Sequence, residues 1–158
     1  VMAARVLDIN PECAVRSLPL LYNEENKAAF FDRQYDYIID AIDLVSCKLS
    51  LIQNAMAQNI PIISAMGTGN KLDPTQFRIA DISETSGCHL ARIMRRELRA
   101  RGILHHTVLY SQELPRKPLE LEPPPPGRRT VPASVSWVPS CAGLMLAGRV
   151  IQDLMNAE

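Results

Sequence analysis

Two apolar runs separated by an amphipathic segment constrain the fold of this chain more than any other feature. Residues 35–42, YDYIIDAI, and residues 60–65, IPIISA, are short and rich in β-branched side chains, which predicts two buried strands. Between them, residues 44–59 carry apolar side chains at helical spacing, which predicts a helix. Because parallel strands need a long crossover connection, usually a helix, this order predicts a parallel sheet.

The same patterns along the rest of the chain predict an α/β fold. We expect a truncated Rossmann-like sheet with crossover helices, continuing into mixed or antiparallel strands and a C-terminal helix. The predicted strands span residues 13–21, 35–42, 60–65, 76–81, 107–111 and 134–137. The predicted helices span residues 1–10 (the end of a helix), 24–33, 44–59, 88–101 and 139–155, and Gly102 follows the fourth of them as a typical C′ residue.

Chain length and proline content set the expected domain organisation. With 158 residues, the chain is predicted to form one domain over residues 1–158. Most of the twelve prolines fall within residues 113–132. Proline removes a backbone donor and fixes φ, so this segment is predicted to be a mobile linker.

Charge and cysteine content exclude several classes of protein. The 17 basic and 17 acidic residues balance, so the chain as a whole has no charge that would attract nucleic acid or an anionic membrane. The four cysteines are far apart and form no CxxC pair, which predicts that no zinc is bound. The sequence has neither a signal peptide nor an apolar run long enough to span a membrane, which predicts a cytoplasmic protein without an integral membrane segment.

One carboxylate lies where α/β sheets bind their ligands. Asp43 comes just after the predicted strand 35–42, at the carboxyl end of a parallel strand. Magnesium is typically held by one or two carboxylates together with substrate phosphates, so Asp43 is a candidate metal ligand. Lys48, in the first turns of the next helix, is a candidate phosphate contact. The alternatives are a helix cap for Asp43 and a solvated surface position for Lys48.

Glycine placement bears on phosphate binding. A phosphate-binding loop needs glycines so that backbone amides can approach the anion, and the first glycine of this chain is Gly67. The GTG run at residues 67–69 is more typical of a turn. If the chain belongs to a nucleotide-binding domain, we therefore expect the phosphate loop to precede Val1.

Several segments of the chain resemble a known enzyme family. They are NPECAV, YDYIIDAIDLVSCKLSLI, IPIISAMGTGNKLDPTQFRIADISET, LARIMRRELRARGI and SVSWVPSCAGLMLAGRVIQDL. These segments resemble the ThiF/HesA-type adenylating family, which includes ubiquitin-activating enzymes, and within it the bacterial tRNA threonylcarbamoyladenosine dehydratase group. The resemblance implies that the chain is the C-terminal part of an adenylating domain, without the Gly-rich ATP loop and inactive by itself.

The resemblance also implies a reaction and its participants. Enzymes of this group use ATP and Mg²⁺ to adenylate the threonyl carboxylate of threonylcarbamoyladenosine in tRNA, and ring closure then releases AMP. By resemblance, Asp43 is the catalytic residue that holds ATP and Mg²⁺, Lys48 is a basic residue of the ATP site, and Leu21 lines the adenine pocket. The implied partners are tRNA, a second copy of the chain in a homodimer, and a sulfur-carrier or cysteine-desulfurase-linked protein.

Two other functions remain compatible with the resemblance. The chain could belong to an adenylyltransferase that activates the C-terminus of a ubiquitin-like or sulfur-carrier protein. The missing CxxC pairs argue against the zinc-bearing members of that branch. The second alternative is a non-catalytic dimerisation module.

A basic helix is the candidate RNA-binding surface. Arg92, Arg95, Arg96 and Arg99 fall at i, i+3, i+4 and i+7, which places them on one face of the predicted helix 88–101. Guanidinium groups suit phosphate recognition, so this face is predicted to contact tRNA. The alternative, a solvated charged face, is equally compatible with the sequence. His105 and His106 follow this helix and are interpreted as a pair of loop histidines.

Overall fold

The structure is a computed structural model that describes residues 1–117 and 133–157. These residues form two compact units, Val1–Gln34 and Tyr35–Glu158. Most of the predicted mobile linker, residues 118–132, lies outside the described residues.

The N-terminal unit contains one helix and a small aromatic cluster. Helix α1, Met2–Ile9, confirms the helix predicted over residues 1–10. In the cluster, the ring of Tyr22 packs edge-on against Phe30 and Phe31, with centroid separations of 5.2 and 6.3 Å.

Two elements predicted for this unit are wrong. Residues 13–21 are all described and join no strand. Their side chains are mostly exposed, and Pro19 lacks the N–H that a ladder requires. The helix predicted over residues 24–33 is reduced to one 3₁₀ turn at Lys27–Ala29.

The C-terminal unit is built on a four-stranded mixed sheet in the order β1-β2-β4-β3. Its strands are β1 (Ile38–Asp40), β2 (Ile62–Ala65), β3 (Phe77–Asp81) and β4 (Thr107–Ser111). Strands β1, β2 and β4 are parallel, and β3 runs antiparallel to β4 at the edge. The predicted fold class is therefore confirmed, although β1 is shorter than the strand predicted over residues 35–42.

Helices pack on the two faces of this sheet. They are α2 (Val45–Ala57), α3 (His89–Ala100) and α4 (Trp137–Met155). On one face, α4 buries an apolar row against the sheet that includes Ile63, Leu109 and Leu146. Successive strand residues point to opposite faces, so Ser64 and its register partner Val108 face the other side.

The ends of α3 and α4 follow local rules. Gly102 has φ +77 just past α3, as expected of a residue at the C′ position. No strand forms over residues 134–137, so this prediction is wrong. Val135 packs against the apolar core from an irregular segment, and Trp137 is already the first residue of α4. Pro139 therefore lies in the first turn of α4, where proline costs no helical hydrogen bond. Within residues 1–117 and 133–157, no helix is both long and apolar enough to cross a membrane.

Candidate active site

A cavity of about 490 Å³ opens at the carboxyl edge of the sheet, within the C-terminal unit. Its walls come from the segments that follow β1 and β2, from the start of α3 and from α4. The lining residues are Ala41, Ile42, Asp43, Ala65, Met66, Gly67, Thr68, Gly69, Leu90, Ser134, Pro139, Ala142, Gly143 and Leu146. This is where open α/β sheets bind ligands, and the volume suits a small molecule.

Asp43 is the acidic residue of the cavity wall among the residues that the structure describes. It lies in the short loop that joins β1 to α2, and its side chain is exposed. The N-cap of α2 is Leu44, one residue later. The structure therefore places a solvent-accessible carboxylate at the predicted position, one residue before the helix cap.

Lys48 is not on the cavity wall. Its side chain is fully buried, and Nζ donates to Oδ2 of Asp40 at 2.6 Å. Burial lowers the pKa of Lys48, an effect that the nearby carboxylates of Asp40 and Asp43 oppose. The sequence indicated the ammonium group of Lys48 as a phosphate contact, but in the structure this group forms an ion pair in the protein interior.

A second buried polar contact lies on the same face of the sheet. Nε2 of His106 and Oγ of Ser64 are 2.7 Å apart, and both residues are buried. Burial lowers the pKa of His106 to about 4, and the charge of Lys48 acts in the same direction, while Asp40 and Asp81 oppose it. His106 is therefore an interior residue and not a surface loop histidine, whereas His105 is exposed and lies 3.4 Å from Asp81.

The arginines of α3 fall into two groups. Arg92, Arg96 and Arg99 are exposed, and we refer to these three as the arginine face. Arg95 is half-buried, and its guanidinium donates to the carbonyl and the hydroxyl of Thr85, each at 2.7 Å. Arg95 is thereby committed to holding the segment before α3.

The remaining predicted site residue, Leu21, lies in the N-terminal unit. Its side chain is 64% exposed, and its carbonyl accepts a hydrogen bond from the side-chain amide of Asn26. Its role at an adenine ring stays a prediction.

The described part of the chain has few side chains grouped for metal binding. Among the described residues, no group of three His, Cys, Asp or Glu side chains is placed to hold a metal ion. All four cysteines are free thiols, with Cys47 and Cys88 buried and Cys13 and Cys141 partly exposed. A magnesium ion held by one protein carboxylate and substrate phosphates fits this arrangement.

Asp40 is the site residue that the sequence reasoning missed. It is the last residue of β1, and its side chain is fully buried. A signal was present, because Asp40 interrupts the apolar run that predicts a buried strand, and a buried carboxylate needs a partner. The basic residue eight positions later is that partner.

Comparison with known proteins identifies the family. The ThiF family profile matches residues 1–158. The chain belongs to the ThiF family. The predicted resemblance to this family, and to the dehydratase group within it, is confirmed.

Similar proteins are dehydratases that modify tRNA. The chain is 41% identical over 164 residues to the tRNA threonylcarbamoyladenosine dehydratase of Bacillus subtilis, covering 98% of this chain and 65% of that protein. It also resembles the crystal structure of the Escherichia coli tRNA N6-threonylcarbamoyladenosine dehydratase in complex with AMP, with a TM-score of 0.81, 27% identity and coverage of 99% and 63% of the two chains. The same enzyme in complex with ATP matches with a TM-score of 0.70, 27% identity and coverage of 96% and 64%. The chain thus spans somewhat less than two thirds of the length of these relatives.

Proposed function

We propose that the protein carrying this chain is an ATP-dependent tRNA threonylcarbamoyladenosine dehydratase. An oxygen of the threonyl carboxylate attacks the α-phosphorus of ATP and pyrophosphate leaves. The carbamoyl group then attacks the activated carbonyl carbon, closing a ring and releasing AMP. The observation that carries this proposal is the cavity at the carboxyl edge of the sheet with the accessible carboxylate of Asp43 on its wall.

Asp43 is proposed to hold Mg²⁺ against the phosphates of ATP. A carboxylate and a polyphosphate repel each other, so a carboxylate placed beside the phosphates is favourable when a cation lies between them. When bound, Mg²⁺ supplies charge neutralisation to the transferring phosphoryl group. The role of Asp43 is to fix the position of that charge relative to the cavity.

The other walls of the cavity are proposed to orient the nucleotide or the modified base. They are mainly apolar, with Leu90 and Leu146 among their largest side chains. Small-molecule sites typically combine such apolar walls with a few placed polar groups. Because of its buried pair with Asp40, we assign Lys48 no contact with phosphate.

The arginine face is proposed to bind the tRNA. Leu90 at the start of α3 lines the cavity, and Arg92 follows it by two residues on the same helix. Arg92, Arg96 and Arg99 follow one another along about 10 Å of α3, on the side of the helix opposite Leu90. RNA phosphates bound along this face would hold the tRNA beside α3, so a modified nucleotide would reach the cavity by passing around the helix.

The finer expectations from the sequence belong to the same proposal. We propose that residues 1–158 form the C-terminal part of an adenylating domain in a cytoplasmic, zinc-free homodimer, and that this stretch alone is inactive. Exposed apolar residues on α4, among them Leu144 and Ile151, support contact with a second copy. The molecular mass in solution and pyrophosphate exchange by the isolated chain test these points.

The central experiment replaces Asp43 by asparagine in the protein that carries this chain. Asparagine keeps the shape but loses the charge, so we expect the rate of ATP–pyrophosphate exchange dependent on threonylcarbamoyladenosine-containing tRNA to fall by roughly 10²–10³-fold, the size typical of losing one electrostatic contact. Asp36→Asn is the matched control, because Asp36 is exposed and precedes the same strand at its opposite end. Exchange at the wild-type rate in Asp43→Asn would refute the assignment.

The same assay separates the proposal from its main alternative. Exchange that requires the C-terminus of a carrier protein, and ignores modified tRNA, would identify an adenylyltransferase for such a carrier. Exchange with neither substrate in the wild-type protein would contradict both enzymatic functions.

A further inference from the structure

We infer that the buried ion pair between Asp40 and Lys48 is a positioning device that holds the Asp43 loop at the edge of the cavity. The inference rests on the proposed function, because it assigns the pair a purpose only if Asp43 acts on a ligand in that cavity. It adds two positioning residues to a site in which Asp43 is the proposed catalytic one.

The geometry of the loop is the first argument. Asp40 ends β1, and its two carboxylate oxygens bind different partners. Oδ2 accepts from Nζ of Lys48 at 2.6 Å, and Oδ1 accepts from the backbone N–H of Ile42 at 3.0 Å. One side chain therefore ties the first turns of α2 and the middle of the loop to the end of the strand.

Asp43 lies between these two anchors. On one side, the N–H of Ile42 is held by Asp40. On the other side, Leu44 accepts the hydrogen bond from the N–H of Lys48 at 2.9 Å and begins α2. The backbone of Asp43 is thus restrained from both directions, which fixes where its exposed carboxylate projects.

Burial of the pair is the second argument. Both side chains are fully buried, and taking two charges out of water costs about as much as their attraction returns. Well-packed apolar residues of similar volume often stabilise a protein interior equally well. What an apolar pair lacks is an acceptor for the backbone N–H of Ile42, which donates to Oδ1 of Asp40, so the specific gain from the polar pair is the shape of the loop.

Charge balance around the loop is the third argument. Asp40 and Asp43 are three residues apart, and their like charges repel. The ammonium of Lys48 attracts both carboxylates, and each of them acts to raise the pKa of Lys48 against the effect of burial. Lys48 thereby offsets the repulsion between the carboxylate at the end of β1 and the one in the loop that follows.

The test compares two double variants in the protein that carries this chain. Single variants leave one buried charge unpaired and are expected to unfold, so they are not informative. Asp40→Asn/Lys48→Met removes both charges but keeps the oxygen that accepts from Ile42. Asp40→Val/Lys48→Met removes the charges and that oxygen. Arg149→Met is the control, since it removes an ion pair with Asp153 on α4 outside the cavity wall.

The readouts are kcat for tRNA-dependent pyrophosphate exchange, the Mg²⁺ concentration that gives half of that rate, and the melting temperature. We expect kcat to be at least tenfold lower in the valine double variant than in the asparagine double variant. We expect the Mg²⁺ concentration at half-maximal rate to be higher than in wild type in both double variants. In the asparagine double variant, which has lost the ion pair with Lys48, it should be at least threefold higher. Arg149→Met should match wild type.

Two outcomes would overturn the inference. The first is an equal kcat in the two double variants when their melting temperatures differ from that of wild type no more than that of Arg149→Met does. The pair would then be purely structural. An unchanged Mg²⁺ requirement in the asparagine double variant would remove Lys48 from the device, even if the valine variant did not fold. If Asp43→Asn keeps full exchange, the proposed function has failed instead, and the two failures are thereby distinguished.

Discussion

Replacing the arginine face of α3 by glutamine should weaken tRNA binding and flatten its dependence on salt. Arg92, Arg96 and Arg99 are exposed at i, i+4 and i+7 of one helix, so one RNA backbone can run along all three. Glutamine keeps much of the side-chain length and removes the charge. The triple variant therefore tests phosphate contact without deleting the surface.

The magnitude follows from counterion release. Each neutralised phosphate contributes about 0.7–0.9 to the slope of log affinity against log salt, so three contacts contribute about 2–2.7. Between roughly 50 and 200 mM salt, wild type should therefore lose about 20- to 40-fold more affinity than the triple variant. At the lower salt concentration the triple variant should bind far more weakly.

Arg95 is left unchanged in this variant because its structural contacts would confuse the result. It donates two hydrogen bonds to Thr85, which is itself buried, so its loss would disturb the segment before α3. Arg149→Gln is the matched control for the removal of a positive charge, since Arg149 lies on α4 and pairs with Asp153.

Binding of threonylcarbamoyladenosine-containing tRNA by fluorescence anisotropy across a salt series measures the slope directly. ATP affinity, measured in parallel, should be the same in wild type and the triple variant. Equal salt slopes in wild type, the triple variant and the Arg149→Gln control would show that the arginine face is only a solvated surface.

Two further predictions concern stability. Gly87 has φ +69, and a Cβ added there would lie 2.9 Å from the carbonyl oxygen of Gln112, so Gly87→Ala should lower the free energy of unfolding, measured in urea, by about 2–3 kcal/mol. Gly102→Ala is the control: its φ is also positive but its Cβ would meet nothing within 4 Å, so the expected loss is about 1 kcal/mol. Equal losses in the two variants would show that the contact with Gln112 has no effect. His106, with its pKa lowered to about 4, stays neutral when folded while the unfolded chain takes up a proton below about pH 6.5, so unfolding free energy should fall by a few kcal/mol from pH 6.5 to 4. His106→Gln should remove that part of the pH dependence, and an identical pH profile would refute it.

The two inner strands could be predicted from the sequence because most of their side chains are apolar or β-branched. Residues 60–65 and 107–111 contain β2 and β4, which lie between other strands and are largely buried. Parallel strands that are covered on both faces are buried on both sides, so their sequences do not alternate between apolar and polar residues. The helix between β1 and β2 was equally clear, because α2 must present one apolar face to the sheet.

The incorrect elements share a physical cause. Residues 13–21 and 134–137 have strand-like composition, but a strand exists only when a neighbour supplies its hydrogen bonds. Local sequence contains no information about that neighbour. In residues 134–137, Val135 meets the core from an irregular segment, and the helix begins at Trp137.

Of the candidate site, the sequence predicted the placement of Asp43, because that placement follows from the order of strand and helix alone. Asp43 follows a parallel strand, and any such residue lies at the carboxyl edge of the sheet. The partner of Lys48 depends on how the end of β1 and the first turns of α2 approach each other in three dimensions. The spacing of the two residues along the chain, eight positions, corresponds to no regular element and gave no signal.

The short segment Asp40–Asp43 places two like residues in different environments, which suit them to the different roles proposed above. Asp40 is fully buried, and a buried carboxylate needs a polar partner, which Lys48 provides. Asp43 is solvated, so it can exchange surrounding water for a metal ion when a polyphosphate brings one. The first aspartate can therefore fix geometry and the second can bind, and neither could take the other's role.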